Sequence, residues 1–208
     1  NTFRGGTSGF GEALNFDVGA CAIGSDGGIC TVERNLFDDV FHAFDVEIGS
    51  AVRAIYNWIE DVANNGTLSG SSAVNVRGQP SSTVVRNSTV ELYFNSFQCN
   101  RVQNCIKIRD QEDQCLSGGV PCTTNVGKCA NCKIKNNIFY ADPNGFVIFT
   151  MADTAADAGL EIDNNIFFDS GSGANAVCWN RPLGAVGSNP TNCTGGTTYS
   201  NAQIANFN

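Results

Sequence analysis

The chain has 208 residues, which is enough for one well-cored domain, with 42% apolar residues, 15% charged residues and a net charge of −8. This acidity argues against nucleic acid or an anionic membrane as the partner, because both attract a basic surface. No run of about 18 apolar residues occurs, so no membrane-spanning helix is predicted. The first residues show no basic stretch followed by an apolar segment, so a signal peptide has been removed or the chain is a piece of a longer protein.

One pattern occurs six times along the chain: an Asn, a bulky apolar residue two positions later, and then a short strand. The anchors are spaced 34, 22, 38, 42 and 28 residues apart and are Asn1, Asn35, Asn57, Asn95, Asn137 and Asn165. The strands that follow are predicted at 13–17, 43–47, 73–77, 105–109, 146–150 and 176–180. Their second and fourth positions are apolar, and the third and fifth are mostly polar in the first four repeats. This alternation predicts one buried and one exposed face.

A second strand is predicted before each Asn. Three positions before the anchor the residues are apolar: Val32, Ala54, Leu92, Ile134 and Ile162. One position further back stand Thr31, Arg53, Glu91, Lys133 and Glu161. If the repeats stack in parallel, the last four of these alternate in sign, and Lys135 meets Asp163. Opposite charges on neighbouring strands stabilise a sheet, so the charge order favours stacked parallel coils.

Residues 50–64 admit a second interpretation, an amphipathic helix with Ser50 as its N-cap. The coil is favoured, because residues 55–62 align without a gap with residues 33–40 of the preceding repeat. The Ser-, Gly- and Cys-rich stretches between repeats are predicted to be loops that leave the coil.

Ten cysteines cluster at short spacings: Cys21 and Cys30, Cys99 and Cys105, Cys115 and Cys122, Cys129 and Cys132, Cys178 and Cys193. The even count predicts disulfides and an oxidising compartment, with the connectivity left open. The run from Cys115 to Cys132 has the density of a zinc site, but its spacing matches no known finger or ribbon, so disulfides are favoured. Three glycosylation sequons occur, at Asn65, Asn87 and Asn192.

The Asn-Asn-Ile-Phe runs at 136–139 and 164–167, together with the repeat, resemble the right-handed parallel β-helix (pectin-lyase-like) superfamily. That group includes pectate lyases, polygalacturonases, alginate lyases and many surface proteins. The resemblance implies an all-β, right-handed parallel β-helix solenoid of about six coils with loop insertions, forming one domain over residues 1–208. It also implies a structural ladder of stacked side chains at Asn35, Asn57, Asn95, Asn137 and Asn165.

Catalytic motifs of the family are incomplete. Polygalacturonase-type hydrolases carry an Asp-Asp pair, a Gly-His-Gly and an Arg-Ile-Lys; this chain has Asp38, Asp39 and His42 but neither of the other segments. Adjacent carboxylates on a turn are more often solvated surface, and an isolated turn histidine is usually structural.

Lyases of this fold need a basic residue and a cation. The candidates are Lys107 with Arg109, and Lys133 with Lys135, each pair sharing one outward strand face that could line a groove. The alternative is a purely structural role, in which Lys133 and Lys135 pair with acidic residues on the next strand. The carboxylates of Asp110, Glu112 and Asp113 could bind Ca²⁺, although their spacing is not that of an EF-hand. No other cofactor or metal is predicted.

The sequence therefore favours a secreted, non-catalytic β-helix protein, glycosylated on its surface, with a structural or adhesive role. Both ends of the chain fall in mid-coil without a capping helix, which predicts end-to-end self-association into an extracellular filament. One alternative is a polysaccharide lyase or glycoside hydrolase that acts on an acidic glycan. Another is a carbohydrate-binding module that uses exposed aromatic residues such as Tyr56 and Tyr93.

Overall fold

The computed structural model of the protein describes residues 1–4, 12–16, 21, 28–47, 49–60, 72–78, 88–100, 104–110, 129, 131–142, 147–151, 160–169, 175–181 and 197–200. Within these ranges the chain forms strands and no helix. In chain order the strands are β1 (Thr2–Arg4), β2 (Glu12–Phe16), β3 (Cys30–Glu33), β4 (Leu36–Asp38), β5 (His42–Val46), β6 (Ala51–Ile55), β7 (Trp58–Glu60), β8 (Ser72–Gly78), β9 (Thr89–Tyr93), β10 (Ser96–Asn100), β11 (Asn104–Asp110), β12 (Lys133–Lys135), β13 (Ile138–Asp142), β14 (Ile148–Met151), β15 (Glu161–Asp163), β16 (Ile166–Asp169), β17 (Asn175–Arg181) and β18 (Thr197–Ser200).

The strands form three sheets that the chain visits in turn. Sheet A has the order β1-β4-β7-β10-β13-β16, sheet B the order β18-β17-β14-β11-β8-β5-β2, and sheet C the order β15-β12-β9-β6-β3. The strand pairs described are parallel, except that β18 runs antiparallel to β17. Neighbours within each sheet are three elements apart in sequence up to β17, which is the arrangement of a parallel β-solenoid.

The predicted strand stacking is confirmed in sheet C. The apolar column runs in register as Val32, Ala54, Leu92, Ile134 and Ile162. The charged column also runs in register, as Thr31, Arg53, Glu91, Lys133 and Glu161. The coil interpretation of residues 50–64 is confirmed for its described part, where β6 and β7 are strands. Between them Tyr56 has φ 57°, a left-handed conformation that ends any right-handed helix.

The core lies between the three sheets and is dominated by stacked phenylalanines. In sheet A the inward column contains Phe3, Phe37, Ile59, Phe97, Phe139 and Phe167. The Phe97 and Phe139 rings stack at 4.9 Å and the Phe139 and Phe167 rings at 5.1 Å between centroids. These separations match the spacing of about 4.8 Å between neighbouring strands, so each ring stacks on the ring of the next strand, except on β7, where Ile59 takes the place of a ring.

A ladder of asparagines joins the turns between sheets C and A. The Oδ1 of Asn57 accepts hydrogen bonds from the backbone N and from Nδ2 of Asn35, both at 3.1 Å. The same pair of bonds joins Asn57 to Asn95, Asn95 to Asn137, and Asn137 to Asn165, at 2.9–3.1 Å. The residue before each anchor has a positive φ, between 52° and 57°, at Arg34, Tyr56, Phe94, Asn136 and Asn164. The buried polar groups of each turn are therefore satisfied by hydrogen bonds to the next coil.

Three of the cysteine pairs lie at disulfide distance. Their Cα atoms are 5.4 Å apart for Cys21 and Cys30, 5.5 Å for Cys99 and Cys105, and 5.6 Å for Cys129 and Cys132. The pair at 99 and 105 links β10 of sheet A to β11 of sheet B. Cys129 and Cys132 are paired with each other, so they do not serve as zinc ligands. The remaining cysteines Cys115, Cys122 and Cys193, and the side chain of Cys178, lie outside the described residues.

Candidate functional site

The outward face of sheet B corrects one prediction. Polar alternation predicted exposure, yet Asp45, Asn75 and Lys107 are 0%, 1% and 4% exposed. They are neighbours on β5, β8 and β11, and Asn75 Nδ2 donates to Asp45 Oδ1 at 3.0 Å. Small residues on the same face, Ala43 and Ala73, are equally buried, so this part of the sheet is covered. The prediction holds at β2, where Asn15 is exposed.

Lys107 therefore does not line an open groove. Asp45 and Lys107 both have interaction partners, and the side chain of Arg109 lies outside the described residues. Asn75 Oδ1 is buried without a hydrogen-bond partner. The group is a buried polar column made of one carboxylate, one amide and one ammonium.

The hydrolase candidates each have a structural contact. His42 was expected in a turn, but it is the first residue of β5 and is 3% exposed. Its Nδ1 lies 2.6 Å from the carbonyl oxygen of Ser72, so an imidazole N–H donates there. Asp38 is half-buried and pairs with Arg4 Nε at 2.7 Å. Asp39 has φ 54°, and its backbone N–H donates to the carbonyl of Glu60.

Of the two lysines of sheet C, Lys135 forms an ion pair within the sheet. Lys133 lies opposite Glu161 and Lys135 opposite Asp163, as predicted, but the ion pair runs diagonally from Lys135 to Glu161. Their hydrogen bond lowers the pKa of Glu161 and raises the pKa of Lys135. Diagonal neighbours on adjacent strands are within reach of a side chain as long as lysine. This cation is therefore neutralised by its own sheet.

The two aromatic candidates differ. Tyr56 is 53% exposed, as expected, and stacks on Phe94 with ring centroids 5.3 Å apart. The guanidinium of Arg34 lies 6.0 Å from the Tyr56 ring, within cation–π range. Tyr93 is instead half-buried, and its pKa is raised by burial and by the charge of Glu91. Glu91 itself pairs with Arg53 at 2.6 Å. Tyr93 lies next to the charged column of sheet C, between Ile55 and Lys135 of the neighbouring strands.

Among the residues that the structure describes, a group of exposed apolar side chains lies on the outward side of sheet A, and sequence reasoning missed it. Five large side chains, here called the aromatic face, are about half exposed: Trp58 (52%), Ile138 (42%), Tyr140 (47%), Ile166 (50%) and Phe168 (55%). The signal was available in the runs Asn-Ile-Phe-Tyr and Asn-Ile-Phe-Phe. Since the Phe two positions after each Asn points inward, strand alternation places both of its neighbours outward.

A depression of about 290 Å³ runs along β10 within this face, and we call it the β10 trough. Trp58 on β7 forms one side, Ile138 and Tyr140 on β13 form the other, and Ser96 to Gln98 form the floor. The depression exists because β10 carries shorter, polar outward residues between two strands with bulky ones. The Trp58 indole N–H donates to Glu60 Oε2 at 2.8 Å, which orients the ring.

The remaining candidates for metal binding and glycosylation belong to parts of the chain that the structure does not describe. Glu112, Asp113, the side chain of Asp110 and the sequons at Asn65, Asn87 and Asn192 lie outside the described residues. Among the residues that are described, no three His, Cys, Asp or Glu side chains are grouped to hold a metal. The described part of the chain also contains no helix with the length and apolar character needed to cross a membrane.

Comparison with known proteins leaves the resemblance resting on the repeat and the sheet arrangement. Scans against protein-family models, curated proteins and solved structures each found no match to this chain.

Proposed function

We propose that the protein is an extracellular, non-catalytic, right-handed parallel β-helix of about six coils that has an adhesive role and attaches through the aromatic face. The observation that carries this proposal is the cluster of half-exposed apolar side chains on β7, β13 and β16. Contiguous exposed apolar surface marks interaction sites on soluble proteins, whereas single exposed residues do not. A rigid stacked sheet suits such a role, because it holds the contact side chains at fixed spacing.

Two further observations support the proposal. The ionisable candidates for catalysis are engaged within the fold: Lys135 with Glu161, Asp38 with Arg4, and His42 with the Ser72 carbonyl. The cysteine pairs at disulfide distance fit an oxidising, extracellular compartment.

Adsorption to insoluble material tests the proposal. Purified protein is mixed with washed cellulose, chitin and de-esterified pectin, and the bound fraction is measured over a concentration series. We expect binding to at least one matrix, and a loss of at least tenfold in the double variant Tyr140→Ser with Phe168→Ser. Tyr56→Ser is the matched control, since Tyr56 is equally exposed but lies at the turn, off the aromatic face. Equal adsorption by the double variant and the control would refute an adhesive aromatic face.

A second candidate function is cleavage of an acidic glycan, and the grouping of Lys107 with Asn75 and Asp45 in one column of sheet B is the observation that favours it. Because this column is covered, cleavage there requires that the glycan reach Lys107, which is 4% exposed. The test is incubation with polygalacturonate and alginate, followed by ultraviolet absorbance for the unsaturated lyase product and by a reducing-end assay for hydrolysis. Turnover that disappears in Lys107→Met would establish it; no turnover by the unmodified protein removes it.

End-to-end self-association is a separate proposal. Analytical ultracentrifugation over a wide concentration range tests it directly, with growing oligomers expected. A single sedimenting species of monomer mass at every concentration would contradict it.

A further inference from the structure

We infer that the β10 trough is a binding site for one strand of a neutral polysaccharide, with sugar rings seated between Trp58 and Tyr140. This inference rests on the proposed adhesive function and names its ligand.

The size of the trough fits a sugar ring. Its walls stand on β7 and β13, the two neighbours of β10, and are therefore about 10 Å apart at the backbone. The side chains of Trp58, Ile138 and Tyr140 narrow that gap, and the volume of the open depression between them is about 290 Å³. An α-helix, with a diameter of about 10–12 Å including side chains, is too wide to enter.

The walls and floor match the two surfaces of a pyranose. A pyranose ring has C–H faces of slight positive charge and a rim of hydroxyl groups. Aromatic rings carry negative charge on their faces, so Trp58 and Tyr140 attract the C–H faces. The Ser96 hydroxyl and the Gln98 amide on the floor offer both donors and acceptors to the hydroxyl rim. The Glu60 carboxylate, which accepts one bond from Trp58, has further lone pairs for a hydroxyl donor.

The aromatic residues also mark a path for a polymer. Tyr140 and Phe168 are direct neighbours on β13 and β16, about 5 Å apart. Trp58 lies two strands away from Tyr140 on the opposite side of the trough. A linear chain that leaves the trough over Tyr140 therefore crosses Phe168 next, so several rings are contacted in succession.

Charge selects a neutral polymer. None of the residues that line the trough is basic, and Glu60 places a carboxylate beside Trp58 on the same outward face. Arg4 and Asp38 lie further along this face and are paired with each other, so Glu60 is the unneutralised charge next to the trough. The chain as a whole has a net charge of −8. A uronate polymer would therefore meet like charge at Glu60.

A second protein copy is a poorer occupant. Five side chains that are each about half exposed offer on the order of 500 Å² of apolar surface. Stable protein interfaces bury about 800 Å² per partner. The aromatic face offers little more than the apolar share of one such interface, and its trough, which is too narrow for a helix, fits a narrow glycan strand better.

Calorimetric titration with soluble oligosaccharides tests the inference. The probes are cellohexaose, mannohexaose and xylohexaose as neutral ligands, with hexagalacturonate as the acidic one. We expect at least one neutral probe to bind and hexagalacturonate to bind at least tenfold more weakly. Trp58→Ala and Tyr140→Ala should each lower the affinity for the neutral probe at least tenfold. Tyr56→Ala should stay within twofold, and circular dichroism confirms that all three variants keep the β-sheet spectrum.

The outcomes separate this inference from the proposed function. If adsorption to an insoluble matrix depends on Tyr140 and Phe168 but no neutral probe binds, adhesion stands and the ligand class is wrong. If neither adsorption nor oligosaccharide binding is found, both fail. Tighter binding of hexagalacturonate than of any neutral probe overturns the inference, as does a dimer that Tyr140→Ala converts to monomers.

Discussion

Asn95 is the central rung of the asparagine ladder, and its replacement by alanine measures what the ladder contributes to stability. Asn95 is 1% exposed. Its Oδ1 accepts from the backbone N and from Nδ2 of Asn57, at 2.9 and 3.0 Å. Its Nδ2 donates to the Ala54 carbonyl at 2.9 Å and to Asn137 Oδ1 at 3.1 Å. Alanine removes all four bonds at a site that water does not reach.

The magnitude follows from these bonds. Each intramolecular hydrogen bond contributes about 1 kcal/mol net, and a buried group left without a partner costs about 1–3 kcal/mol more. Asn57 Nδ2 keeps its bond to the Val32 carbonyl, and Asn137 Oδ1 keeps the backbone N–H of Asn95, so the loss is not complete. We expect Asn95→Ala to lower the free energy of unfolding by about 3–5 kcal/mol, a large share of the 5–15 kcal/mol that is usual for a domain.

Urea unfolding of the oxidised protein, followed by circular dichroism, measures this change at constant m value. Asn15→Ala is the control, because Asn15 is an exposed strand asparagine, and it should change stability by less than about 0.5 kcal/mol. Asn165→Ala, at a half-buried rung, should fall between the two, since water replaces part of what is lost. Equal effects at positions 95 and 15 would refute the view that the ladder stabilises the fold.

Three further predictions concern the core, the ion pair and the cysteine pair between sheets. Phe139→Ala should cost about 3–5 kcal/mol in urea unfolding, because a fully buried ring in a continuous stack is removed. Glu161→Gln should lower stability most near neutral pH. The hydrogen bond to Lys135 lowers the pKa of Glu161, so its contribution is present above the unfolded-state pKa and is lost as the pH falls through the lowered one. At high pH the contribution is lost again as Lys135 titrates through its raised pKa. Replacing Cys99 and Cys105 together by alanine should cost about 2 kcal/mol, the value for a short closed loop.

Each of these has an outcome that would contradict it. A Phe139→Leu variant that is as destabilised as Phe139→Ala would mean that lost volume is not the cause. A stability difference between Glu161→Gln and the unmodified protein that persists unchanged into strong acid would exclude the charge interaction. Reduction with dithiothreitol should leave the variant without Cys99 and Cys105 less affected than the unmodified protein, and equal sensitivity would place the effect elsewhere.

The sequence was sufficient for the strand register and insufficient for what covers each sheet. The register followed from the anchors, because a gapless alignment of residues 55–62 with 33–40 leaves only one way to stack β7 on β4. Alternation at Asp45 and Asn75 identified the outward face of sheet B correctly. It could not show that this face is buried, because exposure depends on segments distant in sequence.

Two other features were not predicted from the sequence: the ion-pair partner of a long side chain and the outward direction of the exposed aromatic residues. Register placed Lys135 opposite Asp163, but the choice of Glu161 as partner depends on the rotamer of a long side chain, which no sequence pattern fixes. The outward direction of Tyr140 and Phe168 follows from strand alternation once Phe139 and Phe167 are seen to pack in the core. The continuous apolar runs that contain them concealed which members face outward.

Because of the asparagine ladder, the segment that forms one coil can be duplicated as a unit. Each rung bonds only to its nearest neighbours, and Asn35 and Asn57 are 22 residues apart, with β4, β5 and β6 between them. A tandem duplication of residues 36–57 would add one rung and one strand to each of the three sheets, while every existing contact outside the insertion keeps its geometry. The length of the aromatic face can thus change in whole-coil steps during evolution, while the core of each existing coil is kept.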